Sequence, residues 1–90
     1  MNLKIESTRK FNLRIKKYSD KDHDIIESAI AQILENPMVG VPKRGDLAGV
    51  RVVKFKATNH LILLAYFFVD DTVTLLYVGE HENFYRDLKR

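Results

Sequence analysis

The residues of this chain best suited to chemistry lie near its C-terminus, where an imidazole and a phenol stand four positions apart. His81 and Tyr85 share one face if their segment is helical, because residues four apart on a helix are neighbours. An imidazole ordinarily has a pKa of ~6.5, so it can accept or donate a proton near neutral pH. A phenol can stack on a ring or, beside cations that lower its pKa, assist proton transfer. The pair therefore suggests general acid–base catalysis on a bound substrate.

Cationic side chains on a predicted strand could hold an anionic substrate beside this pair. Arg51, Lys54 and Lys56 are interleaved with apolar residues. Alternation along a strand places Arg51 on the face opposite to Lys54 and Lys56. We expect the two lysines to reach the substrate, since Val53 and Phe55 then point into the core. Arg51 is expected to contact phosphate from the edge through its bidentate guanidinium group.

The charge distribution supports a negatively charged partner. The net charge is only +3, but basic residues gather in segments 4–17, 43–56 and 86–90. One face can thus be positive, which suits a phosphate backbone or an acidic protein. The alternative is that these side chains simply solvate the surface. The further candidates for substrate contact are Lys56, His60, Lys43, Arg44 and Arg86.

Length and composition limit the class of protein. Ninety residues support one hydrophobic core and one domain, residues 1–90, and the absence of cysteine excludes disulfides and thiolate metal sites. No third ligand stands at a metal-binding spacing from His60 and His81, so we expect no metal site. The longest apolar run has nine residues, which is far short of the ~20 that a membrane helix needs. The N-terminus lacks the apolar core of a signal peptide, and we expect a cytoplasmic protein without a membrane partner.

The N-terminal half has the pattern of one strand and two helices. Leu3 and Ile5 alternate with polar neighbours, as in a short strand. From Thr8 onward, apolar residues recur at helical spacing, with Ser7 or Thr8 as the N-cap. A second helix, capped by Asp20, ends at Asn36, because a residue before proline is disfavoured in the helical region. We expect the two helices to form an antiparallel hairpin.

The C-terminal half predicts a loop, three strands and a helix. Residues 37–49, which contain both prolines and three of the four glycines, form the predicted loop. Strands are predicted over residues 50–56, 61–69 and 72–78, with a tight turn at Asp70-Asp71 and Gly79 ending the sheet. Residues 80–90 predict a closing helix with Phe84 and Leu88 on its inner side. The expected fold is α+β, in the order β-α-α-β-β-β-α, with helices packed on an antiparallel sheet.

This order of elements resembles the RelE/ParE superfamily of bacterial toxins. The resemblance rests on the strand, the helical hairpin, the loop ending in Gly-Asp-Leu-Ala-Gly-Val-Arg and the three following strands. The segment Gly-Glu-His-Glu-Asn-Phe-Tyr at positions 79–85 is similar to the C-terminal segment of the RelE, YafQ and HigB branches. The resemblance covers nearly the whole chain, although each local motif is loose.

The resemblance implies a toxin of a type II toxin–antitoxin pair, neutralised by a cognate antitoxin. In the RelE-like branches the activity is metal-independent cleavage of mRNA in the decoding site of the 30S ribosomal subunit, with no cofactor. In the ParE branch the target is DNA gyrase and the nuclease residues are absent. A relative without activity is a third alternative. The fold alone does not distinguish these functions, because one fold can host several of them; the residues of the site have to distinguish them.

The family's site residues can be carried over position by position. His81 matches the histidine of YafQ-like toxins and is the expected general acid or base. Tyr85 stands where RelE relatives carry a functional tyrosine, and Arg51 and Lys54 lie on the strand that carries catalytic residues. His60 lies near the position of an aspartate in YafQ or just before that of an arginine in RelE. The strand after it, Leu61–Val69, has no arginine. We therefore expect Lys54, Lys56 or Arg51 to hold the phosphate instead.

Overall fold

A computed structural model describes residues 3–90 of the 90-residue chain as a five-stranded sheet with helices on both faces. The elements in chain order are β1 (Lys4–Ser7), α1 (Arg9–Ile15), α2 (Asp20–Glu35), β2 (Val41–Pro42), β3 (Arg51–Lys56), β4 (Leu61–Val69), β5 (Thr72–Glu80) and α3 (Phe84–Leu88). Short 3₁₀ turns precede β3 and α3, at Gly45–Leu47 and His81–Asn83. The α+β class and the general order of elements are confirmed. Within residues 3–90, no helix has the length and apolar character needed to cross a membrane.

The sheet has the strand order β1-β5-β4-β3-β2 and is mixed rather than wholly antiparallel. β1 runs parallel to β5, with Lys4 paired to Thr72, whereas the other neighbouring strands are antiparallel. The prediction of a purely antiparallel sheet is therefore wrong at this edge. β2, which pairs Val41 with Val52, lies inside the segment predicted as a loop. A strand of two residues is too short to show the alternation by which strands are recognised.

Side-chain caps fix where both N-terminal helices begin. The Thr8 hydroxyl accepts the Phe11 N–H at 3.1 Å, as predicted for a helix that starts at this residue. The cap of α2 is Ser19, whose hydroxyl accepts the Asp22 N–H at 3.2 Å, so the prediction of Asp20 was displaced by one residue. Asp20 is instead the first helical residue, where a carboxylate favours the positive end of the helix dipole.

The central strand β4 is apolar throughout its middle because both faces of the sheet are covered. One face packs against α1 and α2 in a cluster that includes the buried Phe11, Ile26 and Leu64. The other face packs against α3, with Leu63 and Phe84 in a second cluster. The prediction that Phe84 belongs to the core is confirmed, since its side chain is 1% exposed.

The two faces of β3 carry different residue types, as alternation requires. Val53 and Phe55 pack against the cluster beneath α1 and α2, as predicted. Lys54 and Lys56 are exposed on the other face, which also carries the buried Val52. The lysines therefore extend from the face on which α3 lies.

The sheet continues past Gly79, contrary to prediction. Glu80 is still paired with Ile62 of β4, and Gly79 itself is buried within β5. A Cβ atom at Gly79 would lie 2.9 Å from a ring carbon of Tyr77. The glycine is needed here for close packing, and it does not end the strand. The predicted tight turn at Asp70 and Asp71 is present, with φ of 51° and 61° at the two residues.

Tyr66 fastens the segment after α2 to the middle of the sheet. Its hydroxyl donates to the Pro37 carbonyl at 2.8 Å and accepts the Gly40 N–H at 2.9 Å. Gly40 approaches so closely that a Cβ atom would lie 2.7 Å from the Tyr66 hydroxyl oxygen. Burial raises the pKa of Tyr66, although the Gly40 hydrogen bond acts in the opposite direction.

We predict that Tyr66→Phe lowers the free energy of unfolding by about 1–3 kcal/mol, because a buried N–H and a carbonyl lose their partner. Urea denaturation followed by circular dichroism measures the loss. Tyr85→Phe is the matched control, since the Tyr85 hydroxyl makes no hydrogen bond among the described residues. Equal stability of the two variants would contradict the role of Tyr66.

Candidate functional site

Four side chains that could do chemistry line one cleft of about 170 Å³ on the α3 side of the sheet. We call this the lysine cleft; it is lined by Val41, Lys43, Val52, Lys54, Leu63, His81 and Tyr85. Two ammonium groups, an imidazole and a phenol thus surround an apolar floor. The structure brings together His81, Tyr85, Lys54 and Lys43, all of which were predicted from the sequence. It leaves Arg51 outside this cleft.

The floor and the lysines come from the paired strands β2 and β3. Val41 pairs with Val52, so the side chains of both residues lie on the same face of the sheet. Lys43 follows β2 directly, and its N–H donates to the Val50 carbonyl at 2.9 Å. Its ammonium lies 5.3 Å from the centroid of the Tyr85 ring, in a cation–π contact. Lys43 is thus held at the rim by both its backbone and its side chain.

Phe84 anchors the segment that supplies the imidazole and the phenol. Its ring packs at 5.7 Å from the Tyr77 ring and perpendicular to the Tyr85 ring at 5.1 Å, centroid to centroid. His81 lies in a 3₁₀ turn and Tyr85 in α3, so the prediction of one continuous helix through both is wrong. Both side chains nevertheless line the lysine cleft, and the buried Phe84 lies between them in the chain.

Lys10 of α1 holds the far end of α3, a contact that the sequence analysis missed. Its ammonium donates to the backbone carbonyls of Asp87, Leu88 and Arg90, the last two at 3.3 and 2.8 Å. It also lies 5.3 Å from the centroid of the Tyr77 ring. Carbonyls at a helix C-terminus lack partners within the helix and favour a positive charge. No local pattern could have predicted a contact that joins residues nearly 80 positions apart.

A second cleft, of about 350 Å³, lies beside the first and shares His81 with it. We call it the carboxylate cleft; it is lined by Asn59, His60, Leu61, Glu80, His81 and Glu82. His60, predicted as a substrate contact, therefore faces a different cavity from Lys54 and Tyr85. Its Nε2 lies 3.5 Å from the buried Asp22 carboxylate and its Nδ1 lies 3.6 Å from Glu80. The imidazole thus stands between two carboxylates.

Arg51 lies on the opposite face of the sheet from the lysine cleft. Its guanidinium donates to the carbonyls of Met38 and Gly40 at 3.0 and 2.8 Å, which supports the segment between α2 and β2. Strand alternation placed Arg51 correctly, but the expectation that it contacts substrate from the edge has no support in this arrangement. Both hydrogen bonds come from Nη1 of the guanidinium, which is thereby directed toward this segment.

Three other predicted contacts lie outside both clefts. Lys56 is exposed at the end of β3, and Arg44 is exposed before the 3₁₀ turn of residues 45–47. Arg86 is exposed on α3 and lies 3.4 Å from Asp87, with which it pairs. These three cations add positive charge around the site without lining it.

Tyr77, which does not line the lysine cleft, is a packing residue in the cluster that contains Phe84. Burial raises the pKa of Tyr77, and the neighbouring Asp87 carboxylate, 3.4 Å from its hydroxyl, raises it further. The phenol therefore stays protonated and is a poor proton acceptor. Tyr85, by contrast, is only partly buried and lines the lysine cleft.

Among residues 3–90, no three histidine or acidic side chains are grouped so that they could hold a metal ion.

The arrangement of the lysine cleft suits chemistry at a phosphate. Two ammonium groups can hold an anionic centre, and an imidazole can exchange a proton with it. The Tyr85 ring and the apolar floor offer a surface on which a flat ring can stack.

The sequence matches the family model described as ParE-like toxin of type II bacterial toxin–antitoxin system, over residues 5–89. No curated protein matches the sequence.

Solved structures share the fold. A chain of the intact E. coli RelBE toxin–antitoxin complex superposes with a TM-score of 0.74 at 16% identity, covering 90% of this chain and 99% of that one. The isolated E. coli RelE toxin gives a TM-score of 0.73 at 16% identity, with 90% and 86% covered. A chain of the RelBE2 toxin–antitoxin complex from Mycobacterium tuberculosis gives 0.68 at 25% identity, with 90% and 100% covered.

We predict that Lys10→Met loosens α3, because the carbonyls at its C-terminus lose a charged donor. A hydrogen bond to a charged group is worth about 1.5–3 kcal/mol, and hydrogen–deuterium exchange of residues 84–90 should accelerate accordingly. Lys17→Met, a change at an exposed lysine beyond the end of α1, serves as the control. Unchanged exchange in the Lys10 variant would show that α3 does not depend on this contact.

Proposed function

Because the chain belongs to the ParE-like toxins of type II bacterial toxin–antitoxin systems, we propose that it halts growth by cleaving messenger RNA on the ribosome. The observation that supports cleavage is the lysine cleft, where Lys43, Lys54, His81 and Tyr85 meet around a space open to one phosphate and a neighbouring ring. A toxin that acts only by docking has no need of this combination. The RelE-like structural neighbours point in the same direction at low identity.

The reaction we propose is an attack of a ribose 2′-oxygen on the adjacent phosphorus. The 2′-hydroxyl loses its proton, the bond from phosphorus to the 5′-oxygen breaks, and that oxygen gains a proton. The products are a 2′,3′-cyclic phosphate and a 5′-hydroxyl. The step needs a base, an acid and cations that hold the charge of the pentacovalent phosphate.

His81 is the residue we assign to proton transfer in this step. An imidazole can take the 2′ proton or supply one to the leaving oxygen near neutral pH, and a water molecule exchanges the other proton. Lys43 and Lys54 hold the phosphate oxygens, since their ammonium groups line the same cleft. Together they replace the arginine that RelE relatives carry on the central strand. Tyr85 stacks against a base beside the phosphate, and Lys43 keeps its ring in place from 5.3 Å.

The partners follow from the same assignment. Solved relatives were crystallised as toxin–antitoxin complexes, and we infer that a cognate antitoxin likewise neutralises this chain. The substrate would be mRNA in the 30S decoding site, so the protein acts in the cytoplasm. Exposed cations around the clefts, including Arg44, Lys56 and Arg86, would contribute to attraction by RNA phosphates.

The alternative function is a gyrase poison. The matching family model carries the ParE name, and a toxin of that branch would act by binding a protein without any chemistry of its own. The two functions differ in what happens to RNA when the chain is expressed, so one experiment separates them.

We predict that His81→Ala lowers the cleavage rate about 100- to 10,000-fold, because a general acid or base is lost. The measurement is the mapping of new 5′ ends in translated transcripts after expression in bacteria. His23→Ala, at an imidazole on α2 outside both clefts, is the matched control and should cleave like the wild type. Wild-type protein that arrests growth without new 5′ ends, and inhibits gyrase supercoiling instead, would overturn the nuclease assignment.

A second prediction separates the two exposed lysines of β3. Lys54→Met should lower cleavage about 100-fold, in the range seen when a charge-stabilising donor is removed. Lys56→Met should cause a smaller loss, since Lys56 lies on the same face but does not line the cleft. Cleavage of programmed mRNA on purified ribosomes gives both rates. Equal losses would mean that general surface charge, rather than the lysine cleft, drives the reaction.

A further inference from the structure

We propose that the outward face of α1 is a docking surface for the phosphate backbone of ribosomal RNA, separate from the cleft that holds the messenger. The inference rests on the proposed action on the ribosome and names a second partner for it, the structured RNA of the ribosome itself. We call this surface the α1 face; it consists of Arg9, Leu13, Lys16 and Lys17.

The cations of the α1 face lie together on the solvent side of the helix. Arg9, Leu13 and Lys16 follow the spacing i, i+4, i+7, so they point away from Phe11, which is buried against the sheet. Lys17 follows directly. All three cations are exposed, and none of them makes an ion pair within residues 3–90. Their charges are therefore available to a partner.

The other two cations of α1 already have contacts within the fold. The Lys10 ammonium donates to carbonyls at the end of α3. Arg14 is half-buried, and its guanidinium lies 5.8 Å from the centroid of the Tyr18 ring. The helix thus divides its positive charges into two that stabilise the fold and three that face solvent.

The stability of the helix does not account for Arg9. This residue lies in the first turn of α1, which contains no acidic residue, and the positive end of the helix dipole disfavours a cation there. No acidic residue occurs anywhere between Glu6 and Asp20. The segment therefore concentrates positive charge against the preference of its own helix, and an anionic partner would offset that repulsion.

The neighbouring helix carries the opposite charge. Asp20, Asp24 and Glu27 are exposed at the spacing i, i+4, i+7, so they form an acidic face on α2. This face repels RNA phosphates, whereas the α1 face attracts them. Because both helices pack on the same side of the sheet, the boundary between the two faces limits where RNA can dock.

The composition of the α1 face suits RNA better than a protein. Leu13, which is 52% exposed, is its single apolar side chain, and one exposed leucine does not form the apolar patch that marks protein interfaces. About 10 Å along the helix axis separates Arg9 from Lys16, so the two side chains can reach different phosphates. Contacts to phosphates position a protein on a nucleic acid without reading its sequence.

The location of the α1 face indicates a second RNA element rather than the substrate strand. α1 packs on one face of the sheet, whereas the lysine cleft lies on the other face, beside α3. The smallest principal extent of the chain is 22 Å, so the few nucleotides bound in the cleft do not reach the α1 face. A ribosome presents messenger and its own RNA together, and the second contact then forms at high effective concentration once the first has formed.

The experiment measures binding to purified 30S subunits at a series of KCl concentrations, in a His81→Ala background that suppresses cleavage. Lys16→Gln/Lys17→Gln should raise the dissociation constant about tenfold, because two exposed ionic contacts are lost. The slope of log affinity against log salt should fall in magnitude by about two, one for each phosphate contact. Lys4→Gln/Lys89→Gln removes the same charge from exposed lysines elsewhere and should leave both values unchanged.

Cleavage kinetics give the second measurement, in the chain that retains His81. Lys16→Gln/Lys17→Gln should raise the KM for programmed ribosomes about tenfold and leave kcat unchanged, because the α1 face lies away from the reacting phosphate. A loss of kcat alone, or equal weakening of 30S binding by the two lysine pairs, would overturn the docking surface while leaving the nuclease assignment intact.

Binding also separates this inference from the nuclease function. A chain that binds 30S subunits through the α1 face but cleaves no RNA would support the docking surface and overturn the nuclease assignment. Unchanged 30S binding by Lys16→Gln/Lys17→Gln, with weakened binding of the cognate antitoxin, would show that the α1 face is a protein interface and would overturn the proposal.

Discussion

The structure depends on a strand that is buried on both faces. β4 carries Ile62, Leu64 and Tyr66 toward one face and Leu63 and Ala65 toward the other, and all five are buried. Each face must therefore be covered, because exposing either would leave large apolar area in water. α1 and α2 cover the first face, and the last ten residues have to cover the second.

The need to cover that second face creates the candidate site. Phe84 supplies the apolar side chain that packs on Tyr77 and Leu63, and its burial brings the residues on either side of it to the sheet. His81 and Tyr85 reach the lysine cleft for this reason, although they lie in two different turns. Lys10 completes the arrangement from α1 by satisfying the carbonyls at the end of α3. The same packing that stabilises the fold therefore positions the polar groups.

The electrostatic organisation follows from the edges of the sheet. Lys43, directly after β2, and Lys54, on β3, line the lysine cleft, while Glu80 and Glu82 lie where β5 passes into α3. His81 separates the two sets.

Local sequence patterns were sufficient for most elements and for one side of the site. The Thr8 cap, the break at Asn36-Pro37 and the alternation of β3 all depend on neighbours within a few positions. Together with the order of elements, they led to the family that the model match supports over residues 5–89. Lys54, His81 and Tyr85 could be singled out because their residue types and spacing are suggestive in the sequence alone.

What the sequence by itself determined is the set of local elements and the chemical types available for a site. Only the tertiary structure decided which of those types meet: it turned Arg51 toward backbone carbonyls, placed His60 near Asp22 and Glu80, and set Lys10 at the end of α3. These outcomes rest on contacts between residues far apart in the chain. They depend on how sheet and helices pack, and no periodicity within one segment records that packing.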